Sequence, residues 1–319
     1  MKPSDFSALI LSGSLVLGLI SVSAMFLVWL ERKVSALIQN RMGPMVTGWQ
    51  GSLQTIADSM KLLLKENIVP TGVDKLSWWL APFFVMVPSV VAFLPIAFSP
   101  TLVACDLNVG ALFIASNTGV CVLGIFMAGW GSNNKYSLLG GMRSAAQIIS
   151  YEVPLLLSVV LVGMYAQTFS MKEIVASQQH GWFILNPSLA LAFLVYLISA
   201  TAEVNRVPFD IPEAESELGA GYHTEYSGMK FAIFFVAEYT NLLIISAVAV
   251  TLFLGGWQGP FLPPLAWFLI KVYGMIVFLM WVRWTLPRVK MDQMMAFAWK
   301  VLTPLALANL LVSGWFLVK

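Results

Sequence analysis

Four glutamates of this chain stand where apolar residues should be. Glu152 and Glu238 lie inside long apolar runs, Glu203 ends another, and Glu31 ends the first. An isolated charge near the middle of a membrane helix costs at least about 2.5–3.5 kcal/mol. No lysine or arginine occurs in 148–167, 188–204 or 231–254, so no i,i+4 cation can neutralise these acids. They must pair across helices, meet water or hold a proton. Desolvated carboxyl groups can exchange protons near neutral pH, which is what a proton relay requires. A structural hydrogen bond between helices could account for one such residue, but four ask for more. The densest chemistry follows Glu203. Residues 203–228 add Asp210, Glu213, Glu215, Glu217 and Glu225, with Arg206 as the one cation before Lys230. Asp210, Pro212 and Glu213 have capping-box spacing for a short helix. Glu213 and Glu217 would then share a face and repel.

The elements that must hold these groups are membrane helices. Of 319 residues, 59% are hydrophobic and only 11% charged, against about 25% charged in soluble domains. Eight stretches approach the roughly 20 apolar residues that a span needs: 8–30, 79–98, 112–130, 148–167, 188–204, 231–254, 262–282 and 298–317. The first run is too long for a cleaved signal peptide and reads as a span. The fold expected is all-α, a single polytopic transmembrane domain over 1–319. Basic residues gather in the loops after the odd-numbered spans: Arg32, Lys33, Arg41, Lys61, Lys65, Lys75, Lys135, Arg143, Arg206, Lys230, Arg283, Arg288 and Lys290. The positive-inside rule then puts those loops inside and both termini outside. Two inner loops are long. In 31–78, Leu53, Ile56, Ala57, Met60, Leu63 and Leu64 recur at helical spacing opposite Asp58, Lys61 and Lys65. That is an amphipathic interfacial helix, either a surface anchor or the wall of a cavity for an amphiphile. The second is the acidic loop 203–230. The net charge of +2 gives no nucleic-acid signal, and two cysteines with two histidines do not build a haem, zinc or iron–sulfur site.

The segment Ala202-Glu203-Val204-Asn205-Arg206-Val207-Pro208-Phe209-Asp210-Ile211-Pro212-Glu213-Ala214-Glu215-Ser216-Glu217-Leu218 resembles the signature of the H-subunit family of NADH-quinone oxidoreductase, the membrane subunit at the quinone site of respiratory complex I. The likeness continues through Glu225-Tyr226-Ser227-Gly228, Ala237-Glu238-Tyr239, Glu31-Arg32-Lys33, Gln39-Asn40-Arg41, 133–140, Ser150-Tyr151-Glu152 and 283–288, in order along nearly the whole chain. The resemblance implies an eight-helix subunit that binds no redox cofactor. NADH, FMN and iron–sulfur clusters would belong to partner subunits, and quinone would be the substrate. The partners implied are the peripheral-arm iron–sulfur subunits, the small and large membrane subunits and the bilayer of an energy-transducing membrane, a bacterial inner membrane. By the same resemblance, Arg32, Arg41, Arg206, Phe209, Asp210 and Glu213 surround the quinone chamber. Glu31, Glu152, Glu203, Glu215, Glu217, Glu225 and Glu238 form the path toward the proton-pumping subunits.

The chain departs from the family after Gly43-Pro44. It reads Met45-Val46-Thr47-Gly48 where the family commonly has Asn-Arg-Val-Gly, so no role of that arginine carries over. Three other readings remain open. One is the equivalent subunit of a membrane-bound hydrogenase. Another is a free-standing proton-coupled transporter, which explains intramembrane acids but not so acidic a loop. The third is a passive structural anchor, whose buried acids could be replaced without functional cost. Trp78 and Trp79 are expected at a membrane interface, Cys121 in the core, and Tyr136 and His223 near the chamber.

Overall fold

The structure, a computed structural model, describes residues 3–179, 181–212 and 215–318; the side chains of 3–17, 19, 215, 216 and 318 lie outside the description. Among the described residues the named elements are all helices. In order, the helices are α1 (Pro3–Ile38), α2 (Gln54–Leu64), α3 (Lys75–Val91), α4 (Gly110–Gly131), α5 (Lys135–Ala166) and α6 (Met171–Ser177). They continue with α7 (Pro187–Glu203), α8 (Glu215–Leu218), α9 (Gly228–Phe253), α10 (Pro264–Thr285), α11 (Met291–Phe297) and α12 (Thr303–Val318). A π turn, Ala298–Leu302, joins α11 to α12. The chain is a polytopic membrane protein. Helices α4, α5, α9, α10 and the α11–α12 rod are long and apolar enough to cross a bilayer, and α3 and α7 are shorter apolar helices.

Each expected span falls on a helix, with two boundary corrections. The second is expected over 79–98, but α3 ends at Val91. Residues 92–98 instead form turns and a bridge between Ala97 and Val103. Phe93, Ile96 and Ala97 are buried there, so their apolarity serves tertiary packing. The fourth is expected from 148, but α5 begins at Lys135, capped by the Asn134 side chain accepting from the Tyr136 N–H at 2.9 Å. Its first turns bury Ser137, Gly140, Gly141, Ser144 and Gln147, small or polar residues that hydropathy does not register. At Gly129 a Cβ would lie 3.2 Å from the Gly141 Cα, so α4 and α5 touch through their backbones.

That polar half of α5 scaffolds the acidic segment. Ser137 Oγ donates to the Tyr222 carbonyl at 2.9 Å, and Gln147 Nε2 donates to the carbonyls of Ala202 (2.6 Å) and Phe209 (2.8 Å). A Cβ at Gly140 would stand 2.9 Å from the Gly221 backbone. Gly140→Ala should therefore cost about 1–3 kcal/mol by overpacking, seen as a lower melting temperature of the purified assembly. An unchanged melting temperature would mean that the 221–223 turn yields freely.

Candidate functional site

Two helices end in the same way, and each end delivers an arginine. After α7, Asn205 takes a left-handed conformation (φ 53°). Its N–H donates to the Ala202 carbonyl at 3.1 Å, and the Arg206 N–H donates to Thr201 at 3.2 Å. This is a Schellman closure with asparagine in the place usually taken by glycine. Asn40 (φ 52°) and Arg41 close α1 on Leu37 and Ala36 in the same pattern. At the first end, Asn205 Nδ2 donates to Ser144 Oγ at 3.0 Å and holds the hook against α5. Arg206 then turns into the bundle, 5% exposed.

Inside, Arg206 meets the acids. Its Nη1 donates to Glu31 Oε1 (2.9 Å) and Oε2 (3.0 Å), and its Nη2 lies 2.9 Å from Glu238 Oε1. Arg283 Nη1, from α10, also donates to Glu31 Oε1. Tyr239 donates its hydroxyl to Glu31 Oε2 at 2.8 Å, and the Arg206 guanidinium stands 4.7 Å above its ring. Two arginines thus face two glutamates. A balanced cluster of this kind is what a buried charge requires.

Two spaces flank the cluster. One is an internal cavity of about 40 Å³, with Glu203, Asn205, Glu238, Asn241, Thr118 and Cys121 on its wall. It has room for about two or three waters with polar partners. Among the described residues, Glu203 Oε1 has no hydrogen-bond partner. Glu152 is half-buried on α5, and its Oε1 lies 3.2 Å from where a Cβ of Gly119 would be. The other space is an open cleft of about 470 Å³ between α1, α2 and α9, lined mainly by apolar atoms of Met25, Val28, Leu62, Met229, Phe235 and Tyr239. Arg32 and Asp58 stand on its wall, paired at 2.7 Å. Burial opposes ionisation of Asp58, but the Arg32 hydrogen bond and charge hold its carboxyl below the usual range. On α2, Leu53, Ile56, Met60, Leu63 and Leu64 are exposed, as an interfacial helix requires.

The remaining expected site residues lie elsewhere. Arg41 is exposed and donates to Gln39 at 2.6 Å. Phe209 packs on Tyr151 with ring centroids 5.3 Å apart. Asp210 accepts from Arg288 at 3.0 Å; the helix start it is expected to cap, through Glu213, lies outside the described residues. Glu217 is exposed and pairs with Arg143 at 2.8 Å. Glu225 accepts from Asn134 at 2.5 Å. Glu213 and the Glu215 side chain lie outside the described residues. Trp78 is fully buried and stacked on Tyr226 at 3.9 Å, so only half-exposed Trp79 fits an interface. Tyr136 is exposed. His223 packs against Tyr222 and Phe231, and burial pushes its pKa down to about 4, so it is neutral at pH 7.

The sequence matches the NADH dehydrogenase family over residues 11–314. The chain belongs to that family. It is 51% identical over 301 residues to the H subunit of NADH-quinone oxidoreductase from Dehalococcoides mccartyi strain CBDB1, a match covering 94% of this chain and 84% of the relative. It is 47% identical over 305 residues to the H subunit of the same enzyme from Carboxydothermus hydrogenoformans, covering 94% and 86%. In this NADH dehydrogenase family member, Arg283 and Tyr239 complete the cluster that sequence reasoning begins with Glu31, Arg206 and Glu238. From the sequence, Arg283 reads as a loop charge within the matching stretch 283–288. Its reach into the bundle has no local signal, because its partner lies 252 residues away.

Proposed function

We propose that this chain is the quinone-site membrane subunit of a proton-translocating NADH:quinone oxidoreductase. The observation that carries the proposal is the pairing of the two spaces. A cleft sized for an amphiphile, which Tyr239 lines, and an acid-lined cavity, which Glu238 lines, are linked through the Glu31–Arg206 pairing that both side chains join. A quinone headgroup enters the cleft from the bilayer, and the cleft's volume is in the range of small-molecule sites. Reduction takes place where the chain meets the peripheral-arm iron–sulfur subunits, which supply the NADH, FMN and cluster chemistry. The isolated chain carries out no redox step. The change in charge passes from the cluster through Glu238, the cavity and Glu203 toward Glu152, and on to the small and large membrane subunits. The basic loops face the inside of a bacterial inner membrane, and both termini face outside.

The test is a photoreactive quinone applied to the purified assembly. Labelling at Met229, Phe235 or the α2 face supports the proposal; labelling confined to other subunits overturns it. A second measurement addresses the cleft wall. The partly exposed Arg32–Asp58 pair is worth up to about 1 kcal/mol. Arg32→Gln should therefore loosen α2 and raise the quinone KM roughly two- to fivefold, with kcat little changed. An unchanged KM would remove α2 from the site.

A further inference from the structure

We infer that Tyr239 is a positioning residue that ties occupancy of the cleft to the ion pairing of Arg206. The inference rests on the proposed function and deepens it. Glu238 and Tyr239 are consecutive on α9, so their side chains leave the helix about 100° apart. Glu238 opens into the internal cavity with Phe234, Asn241 and Ile245. Tyr239 opens into the cleft with Phe235, Val236 and Ala232. Tyr239 touches both charged partners of the wall at once: its hydroxyl holds Glu31 Oε2 at 2.8 Å, and its ring face lies 4.7 Å beneath the Arg206 guanidinium. Arg206 in turn is shared between Glu31 and Glu238.

A headgroup seated against Tyr239 therefore meets a side chain that touches both Arg206 and its partner Glu31. With the ring in place, the hydroxyl and Arg206 both fix Glu31. When the ring rotates away, Glu31 loses a donor, Arg206 loses its aromatic face, and the guanidinium is free to redistribute between the two carboxylates. The message crosses the wall as a change in pairing, and no covalent step is needed.

The experiment uses the assembled complex in proteoliposomes with decylubiquinone as acceptor, comparing wild type, Tyr239→Phe and Glu238→Gln. Tyr239→Phe keeps the ring and removes only the hydroxyl. Expected is normal assembly on a native gel, a KM within about twofold of wild type, and kcat and proton yield per NADH both lowered about fivefold or more. Tyr239→Leu, which also removes the aromatic face, should fall further. Wild-type kcat and proton yield in Tyr239→Phe would overturn the inference. So would a rise in KM alone, which would make Tyr239 only cleft wall, or loss of assembly, which would make its hydroxyl structural. Glu238→Gln separates the two levels. If it loses proton yield while Tyr239→Phe is normal, the relay stands and the role of Tyr239 falls. If neither variant changes, the relay itself falls.

Discussion

Arg206→Met should prevent the assembly from accumulating. The substitution keeps much of the side chain's length but leaves Glu31 and Glu238 facing each other with only Arg283 to oppose them. Removing one partner of a buried ion pair typically costs about 3–5 kcal/mol, because the remaining charge is stranded away from water. Here one guanidinium serves two carboxylates, which puts the loss at the upper end. Arg206→Lys should recover only part of it, since an ammonium is a point charge and cannot reproduce the planar fork. The check is the amount of complex on a native gel together with its melting temperature. Restoration of both by Glu31→Gln in the Arg206→Met background would confirm that stranded charge is the cause. Wild-type amounts of Arg206→Met would mean that the cluster carries no folding load.

Glu203→Gln should act in the opposite manner, sparing the fold and stopping the proton. Glutamine fills nearly the same volume and can still hydrogen-bond inside the cavity, but it cannot give up and regain a proton. The expected result is a normal quantity of complex with proton uptake per NADH reduced at least about tenfold, which corresponds to about 1.4 kcal/mol on the limiting barrier. A pH-sensitive dye in sealed vesicles, read alongside NADH oxidation, measures both. Full pumping in this variant would place the proton path outside the cavity. The two variants therefore separate two expected duties: loss of assembly reports the stabilising arginine, and loss of pumping alone reports proton transfer at Glu203.

Much of the bundle is legible in the sequence, because spans announce themselves by apolar length and lipid leaves few alternatives to a helix. The buried acids are legible for the same reason, since a glutamate in an apolar run has no cheap explanation. What escapes is whatever long-range packing decides. Arg206 stands out as the lone cation of an acidic stretch, but its turn into the bundle depends on Asn205 adopting a left-handed conformation against Ser144. Asp210 accepts from Arg288, a partner 78 residues away that no local spacing reveals. The polar start of α5 looks like loop because its buried face is serine, glycine and glutamine, whose partners are backbone carbonyls of a distant segment. Trp78 looks like an interface residue by its tryptophan pairing with exposed Trp79, but the Tyr226 stack buries it.

Helix α9 is moored at both ends. At its entrance, Ser227 Oγ donates to the Glu66 carbonyl at 3.2 Å and accepts from the Ile68 N–H at 3.0 Å. At its exit, Gln178 Nε2 donates to the Thr251 carbonyl at 2.8 Å, and Lys271 Nζ donates to Leu254 (2.7 Å), Gly256 (3.1 Å) and Gln258 (2.8 Å). The ammonium there also complements the negative end of the helix dipole. A rod tied in this way is a poor piston. Sliding it by even one turn, about 5.4 Å, would tear both moorings. In the proposed coupling, movement across the wall is therefore confined to the side chains of Glu238, Tyr239 and Arg206, with the helix as their fixed axle.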